Sequence, residues 1–247
     1  MAEKQNNIDL SLVIACYNEM HVINESVSKI KTTLDNTKFN YEIIFVDDRS
    51  TDGTVDYLKA LVGKNSNMRL LCHQTNKGRG QTVTDGIKLA QGEIVGFNDI
   101  DLSTSAAYIP YLALRVKQGK DVVSARRIYK VMPAIVHRWI LSRGYNILMR
   151  FLLKIDLSDT ETGCKFFNRK KILPILEKIA NPGWFWDTEI MVHSYLSGLK
   201  IEEVPTLFLR NPDNKSTVKI FKDSFEYFLN LVKFKHTLRK IKNNTYR

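Results

Sequence analysis

The sequence predicts an α/β fold built on a mostly parallel central sheet with helices on both faces. Three observations predict it. Short apolar runs rich in Val, Ile, Leu and Phe alternate with amphipathic stretches through the first half of the chain. The runs are almost continuously apolar instead of alternating, which is the pattern of strands covered on both sides. Hydrophobic residues make up 44% of the 247 residues, enough for a sizeable core.

In chain order, the strand candidates are LSLVIACY (10–17), YEIIFVD (41–47), MRLLCH (68–73), EIVGFN (93–98) and DVVSA (121–125). Helix-like stretches near 21–35, 54–63, 80–91 and 105–118 supply the crossovers. Sheets of this kind bind ligands beyond the C-terminal ends of their strands. YNE (17–19) follows the first run, DDRSTDGT (47–54) the second and DID (99–101) the fourth, so three acid-bearing loops converge on one edge. Taken alone, Asp99 and Asp101 have two readings. They are turn residues that end a strand, or hard-oxygen ligands for a divalent cation with positions left open for a diphosphate.

The 37 Lys and Arg outnumber the 26 Asp and Glu, for a net charge of +11. That excess points to a polyanionic partner: nucleic acid, an anionic membrane surface or phosphorylated substrates. No RNP-like, helix-turn-helix or zinc-finger pattern accompanies it, so nucleic acid is not expected. Cys16, Cys72 and Cys164 lie far apart without ligand spacing, which argues against zinc or a disulfide framework and for a reduced, cytosolic setting. The five histidines (21, 73, 137, 193 and 236) show no metal spacing and read as structural or surface residues. MAEKQNNIDL has no secretory h-region, and no window offers about 18 uncharged apolar residues for a span. Work at a membrane is therefore expected from its surface.

The second half changes character. From Val122 to Ile155 there are seven Lys or Arg and no acid, with Leu141, Tyr145, Leu148, Leu152 and Ile155 at helical spacing. Residues 219–242 carry a stripe of Phe221, Phe225, Phe228 and Val232, and no acid follows Glu226. These segments read either as helices packed on the sheet with solvated basic faces, or as basic amphipathic helices lying in a membrane interface.

Five motifs occur in order: VIACYNE (13–19), EIIFVDDRSTDGT (42–54), NKGRGQTVTDGIKLAQGEIVGFNDIDLST (76–104), DTETGCKFF (159–167) and GWFWDTEI…GLKIEEVP (183–205). On these the chain resembles the family 2 glycosyltransferases of GT-A fold, in particular the polyprenyl-phosphate (dolichol-phosphate) hexosyltransferases. The resemblance implies that Tyr17, Glu19 and Asp48, with Asp47 beside them, line a nucleobase and ribose pocket. It implies that Lys77, Gly78, Arg79 and Gly80 form a loop closing over the nucleotide, and that Asp99 and Asp101 are the metal-binding D-x-D for Mg²⁺ or Mn²⁺. Arg126 and Lys165 would face the acceptor phosphate, and Trp184, Asp187 and Glu189 would border the sugar and acceptor. The chain departs from the family pattern at Ala15 (usually Pro), Arg49 (commonly Gly), Ile100 (commonly small) and Ser103 (Gln in some relatives). NPDNKSTVK (211–219) matches a late basic stretch only loosely.

The resemblance implies an inverting, metal-dependent transfer of a hexose from a UDP- or GDP-sugar to a polyprenyl phosphate. The enzyme would be cytoplasmic and peripheral to the inner face of the membrane, alone, as a homo-oligomer or with an integral-membrane partner. Residues 1–210 would form the catalytic domain, with a nucleotide-sugar half at about 8–125 and an acceptor half at about 126–210. Residues 211–247 would be a basic amphipathic extension. Two alternatives stay open: transfer to a sugar hydroxyl, for which Asp187 or Glu189 would be the base, and a non-catalytic basic protein that binds membrane or nucleic acid by charge.

Overall fold

The structure is a computed structural model that describes residues 7–129, 144, 147–209 and 220–245. Its strands are β1 (Leu10–Cys16), β2 (Tyr41–Asp47), β3 (Met68–Cys72), β4 (Ile94–Asn98), β5 (Val122–Tyr129), β6 (Cys164–Asn168) and β7 (Ile201–Phe208). Its helices are α1 (Ile23–Asp35), α2 (Thr54–Val62), α3 (Arg79–Leu89), α4 (Ile109–Lys117), α5 (147–153), α6 (Arg169–Leu176), α7 (Trp186–Leu196) and α8 (Ile220–Thr245). The five expected runs are β1 to β5. β5 continues four residues beyond its expected end because β7 pairs with it along its whole length.

The seven strands form one sheet in the order β3-β2-β1-β4-β6-β5-β7. β6 runs antiparallel to both its neighbours, and the remaining pairs are parallel. The order reverses direction at β1, which has β2 on one side and β4 on the other. The loops after β1 and β4 leave a crevice at this switch point, where open α/β sheets take their ligands.

Apolar side chains pack on both faces. Leu12, Ile14, Phe45 and Phe166 meet α1, α2 and α4 on one face. Val13, Val46, Phe97 and Phe167 meet α3, α6, α7 and α8 on the other. α3 lies unusually close to the sheet: a Cβ on Gly86 would come within 2.3 Å of Val13 Cγ1. That approach fixes the height of the helix whose N-terminus enters the crevice.

The basic segments divide. On α5, Met149 is buried and Leu148 and Leu152 pack on the second face, while Ile147 and Phe151 are exposed. The face of α8 differs from expectation. Leu231 and Phe234 are buried and Tyr227 and Leu238 flank them, whereas Phe228 is exposed. The core-facing stripe is thus 227/231/234/238, one position out of step with Phe228. Turns of 3.6 residues make either row look apolar in a segment so rich in Phe and Leu. Leu141, Tyr145, Phe221, Phe225 and 211–219 lie outside the described side chains. Among the described residues no helix is long and apolar enough to cross a membrane.

Candidate active site

The loops after β1 and β2 are sewn together. Asn18 and Arg49 both adopt left-handed backbone, with φ of 57° and 68°. Arg49 therefore stands where Gly is the conformationally easy residue. Ser50 Oγ accepts from Asn18 N (2.8 Å), Thr54 Oγ1 from Glu19 N (2.9 Å) and Asp52 Oδ2 from Met20 N (3.0 Å). These bonds present Glu19 and the half-exposed ring of Tyr17 at the crevice mouth.

Asp47 and Asp48 have different surroundings. Asp48 is buried and spends both oxygens on the neighbouring loop. Oδ1 accepts from Lys77 N (2.7 Å) and faces His73 Nδ1 (2.8 Å), and Oδ2 accepts from Gly78 N (2.9 Å). Asp47 Oδ2 takes Ser50 N, while its Oδ1 is buried and unpaired among the described residues. Of the two, Asp47 has the acceptor oxygen to spare.

The loop before α3 is shaped by glycine. Gly78 has φ of 90°, and a Cβ there would sit 2.8 Å from Pro182 O. This close packing delivers Arg79 into the crevice. Its Nε and Nη2 donate to Asp99 Oδ1 (3.0 and 2.6 Å) and its Nη1 to Asp187 Oδ2 (2.6 Å). The guanidinium also lies 5.4 Å from the Phe97 ring centre and 5.0 Å from that of Trp184. Burial alone would disfavour its charge, but Asp187 and Asp99 outweigh that and push its pKa up.

The D-I-D turn is held by one of its own aspartates. Asp101 Oδ1 and Oδ2 accept from Ser103 N (2.9 Å) and Ser103 Oγ (2.7 Å), so Asp101 does shape its own turn. Ile100 points the other way into the core, which accounts for a large apolar residue between two acids. Asp99 N donates to Gly163 O (2.8 Å), and the Asp99 carboxylate lies directly over Gly163. Burial, then the charges of Asp101 and Asp187, hold the Asp99 carboxyl above its ordinary range. Glu19 is pushed up to about 7 by burial and by the charges of Asp101, Asp99 and Asp52.

The charges of Asp101 and Asp99 thus act on Glu19 at the switch point, a repulsion that a divalent cation at the turn would relieve. Asp99 and Asp101 supply the hard-oxygen chemistry Mg²⁺ and Mn²⁺ prefer, and two protein carboxylates leave positions for diphosphate oxygens. Among the described residues no three His, Cys, Asp or Glu side chains form a closed metal cluster.

Lys165 is placed differently from a surface phosphate ligand. It is wholly buried on β6 and donates from Nζ to Asp187 Oδ1 (2.6 Å) and to Thr162 O. Burial, and then the Arg79 charge, lower its pKa against the pull of Asp187. Asp187, at the start of α7, is therefore gripped by a cation on each oxygen. Glu189, one turn into the same helix, accepts from Ala180 N (2.8 Å) and Asn181 N (2.9 Å) and pins the 180–183 loop against α3. Of WFW, Trp184 is exposed, while Phe185 and Trp186 are core; Trp186 Nε1 donates to Thr84 Oγ1 at 2.8 Å.

Register places Arg126. Phe97, Lys165 and Ser124 form a row across β4, β6 and β5. The β5–β6 pairing ends at this row; two residues further along β5, strand alternation puts Arg126 on the same sheet face as Lys165 and Phe97, and the two strand spacings between β4 and β5 set it roughly 10 Å from the end of β4. Among the described residues Arg126 has no ion-pair partner. The residues missed in the sequence are His73, Asp85, Gln81 and Gly163. Only Gln81 and Asp85 carry a local signal, an i,i+4 pair on α3 with Nε2 to Oδ1 at 2.7 Å.

The sheet order, the switch-point crevice and the acidic turn after β4 define an α/β protein of the GT-A class. Residues 11–175 match the Glycosyl transferase family 2 profile, so the chain belongs to that family. It is 28% identical over 213 residues to glycosyltransferase AglD of Haloferax volcanii, covering 84% of this chain but only 34% of that protein. It therefore spans about a third of that relative's length. It is 27% identical to a dolichyl-phosphate beta-glucosyltransferase of Dictyostelium discoideum, covering 95% of this chain and 80% of the relative. Glucosyl-3-phosphoglycerate synthase from Mycobacterium tuberculosis, solved with Mn²⁺, UDP and glucosyl-3-phosphoglycerate, superposes with a TM-score of 0.70 at 19% identity. That match covers 92% of this chain and 79% of the other, and it shows the fold.

Proposed function

We propose that the protein transfers a hexose from a UDP- or GDP-sugar to a polyprenyl phosphate, inverting the anomeric carbon. The observation that carries this reading is the commitment of the carboxylates beside the acceptor. A sugar hydroxyl needs a general base. Yet Asp187 is held by Arg79 and Lys165, and Glu189 is spent on two backbone N–H groups. A phosphomonoester brings its own nucleophilic oxygen, with about −1.5 to −2 charge near neutral pH, and needs only a cation to hold it. Arg126 is that cation, roughly 10 Å from the end of β4 across two strand spacings, which leaves room for a hexose between the two. The dolichyl-phosphate relatives support the same acceptor class.

Asp99 and Asp101 would hold Mg²⁺ or Mn²⁺, which when bound supplies Lewis-acid stabilisation of the diphosphate leaving group. Arg79 would reach the same oxygens from the first turn of α3, Tyr17 and Glu19 would border the nucleoside, and Asp47 Oδ1 would offer the base an acceptor. Lys165 acts by fixing Asp187. The donor half spans about 8–125 and the acceptor half about 126–210. With Ile147 and Phe151 exposed on a basic segment, the protein would meet its lipid at the membrane surface.

The test is diphosphate release and lipid-linked sugar from a panel of UDP- and GDP-hexoses with Mn²⁺, with and without polyprenyl phosphate. Turnover is expected only with the lipid, and to vanish in Asp99→Asn/Asp101→Asn. Release that ignores the lipid, or survives that double substitution, would overturn the proposal.

A further inference from the structure

We propose that His73 is a positioning residue for the nucleotide sugar, tying the floor of the donor pocket to the loop that covers it. This rests on the sugar-transfer reading above. His73 lies outside the motifs that carry the family likeness, three residues before Asn76. It directly follows β3, where its N–H extends the ladder to Asp47 O at 2.9 Å.

Its ring is buried between two carboxylates, with Nδ1 2.8 Å from Asp48 Oδ1 and Nε2 3.0 Å from Asp85 Oδ2. An N–H on each nitrogen satisfies both contacts; a single N–H satisfies one. Each carboxylate in turn holds the covering loop. Asp48 accepts the amides of Lys77 and Gly78, and its own C=O accepts from Asn76 Nδ2 at 3.2 Å. Asp85 accepts from Lys77 Nζ (3.0 Å) and Gln81 Nε2 (2.7 Å). His73 therefore joins the β2 end of this network to α3 through a buried ring, beside the half-exposed Lys77, which spans the same two carboxylates with its N–H and its Nζ. The next residue of the loop is Arg79, whose head reaches Asp99 and Asp187. A loop released at Lys77 and Gly78 loses the aim of Arg79. The cost falls chiefly on donor binding, because Lys165 still holds Asp187 when Arg79 is misaimed and Arg126 stands on β5.

The two ring contacts can be removed separately. An Asn amide reproduces Nδ1–H toward Asp48, and a Gln amide reproduces Nε2–H toward Asp85. The KM for the nucleotide sugar, kcat, and the Kd of UDP and GDP with Mn²⁺ would be measured for wild type, His73→Asn, His73→Gln and His73→Phe, with the melting temperature as a check on folding. His73→Phe is expected to raise KM and Kd on the order of 10-fold, the scale of one charge-assisted hydrogen bond, with kcat within about threefold. His73→Asn should keep near-wild-type affinity and His73→Gln should resemble Phe, since Asp48 holds the loop amides directly. Equal Kd values in wild type and all folded variants would overturn the inference, as would a fall in kcat at unchanged KM. If the wild type binds neither diphosphate, the parent reading fails instead. If His73→Phe does not fold, the contrast between Asn and Gln decides.

Discussion

Gly163→Ala is the sharpest probe of the site, because it adds one carbon and changes no charge. Gly163 sits on the loop leading into β6, beside the Asp99–Asp101 turn, and its φ lies outside the left-handed region, so the backbone accepts alanine. The added Cβ would stand 1.7 Å from Asp99 Oδ2 and 2.3 Å from its Cγ. Real Cβ atoms essentially never approach closer than 3.0 Å, so the carboxylate must retreat by at least about 1.3 Å. Rotation of Asp99 about χ1 achieves this without moving the core, since its side chain is partly exposed. The retreat also pulls Oδ1 from the 2.6 Å contact with Arg79 Nη2. Misplacement of a reacting group by about 1 Å costs on the order of 10²-fold in rate. The expected result is a fall of that size in kcat for lipid-dependent diphosphate release, with weakened Mn²⁺ binding and a melting temperature within a few degrees of wild type. A variant that binds Mn²⁺ and turns over within about threefold of wild type would show that the pose of Asp99 over Gly163 is irrelevant to catalysis.

Asp187→Asn leaves Arg79 and Lys165 buried with one fewer anion between them. Breaking a buried pair costs about 3–5 kcal/mol, so the melting temperature should drop by on the order of 10 °C; an unchanged melting curve would contradict the network. Arg126→Ala should raise the KM for polyprenyl phosphate about 10-fold while leaving UDP or GDP affinity intact, the scale of one charge-assisted contact. Equal effects on donor and acceptor would remove Arg126 from the acceptor side. Burial, with a smaller contribution from the Lys178 charge, lowers the pKa of His193 to about 4. Between that value and the ordinary 6.5 the unfolded chain takes up a proton that the folded chain refuses, so this contribution is complete above 6.5 and lost as pH falls toward 4. His193→Phe should flatten that part of the melting temperature–pH curve, and an unaltered curve would place the titration elsewhere.

The first half of the fold was legible because its strands are buried on both faces and its helices carry clear periodicity. Tyr41–Asp47 is buried at every position, and so reads as one apolar run. β6 was not legible as a strand. It is five residues long, contains a lysine, and inserts antiparallel between β4 and β5, a choice made by tertiary packing. The resemblance assigns Lys165 to the acceptor phosphate through TGCK, a motif that carries no information on burial. The burial of Lys165 depends on Asp187, 22 residues later and on another element. Likewise the resemblance places Asp48 at the nucleobase and ribose pocket, and its motif does not reveal that both its oxygens take the loop amides of Lys77 and Gly78. Phe228 on α8 failed for a simpler reason: adjacent apolar rows on one helix cannot be ranked without knowing which side the sheet lies on.

Arg79 already has its anions. Asp99 and Asp187 neutralise it before any ligand arrives, so a bound diphosphate would replace a carboxylate partner instead of capturing a bare cation. Such a swap keeps the number of opposite-charge contacts nearly constant and releases few counterions. Donor affinity should therefore respond to salt much more gently than a net charge of +11 suggests. On the proposed function, the steep salt dependence would belong to an encounter with anionic lipid instead. Raising ionic strength should then detach the protein from anionic lipid while its nucleotide site stays filled.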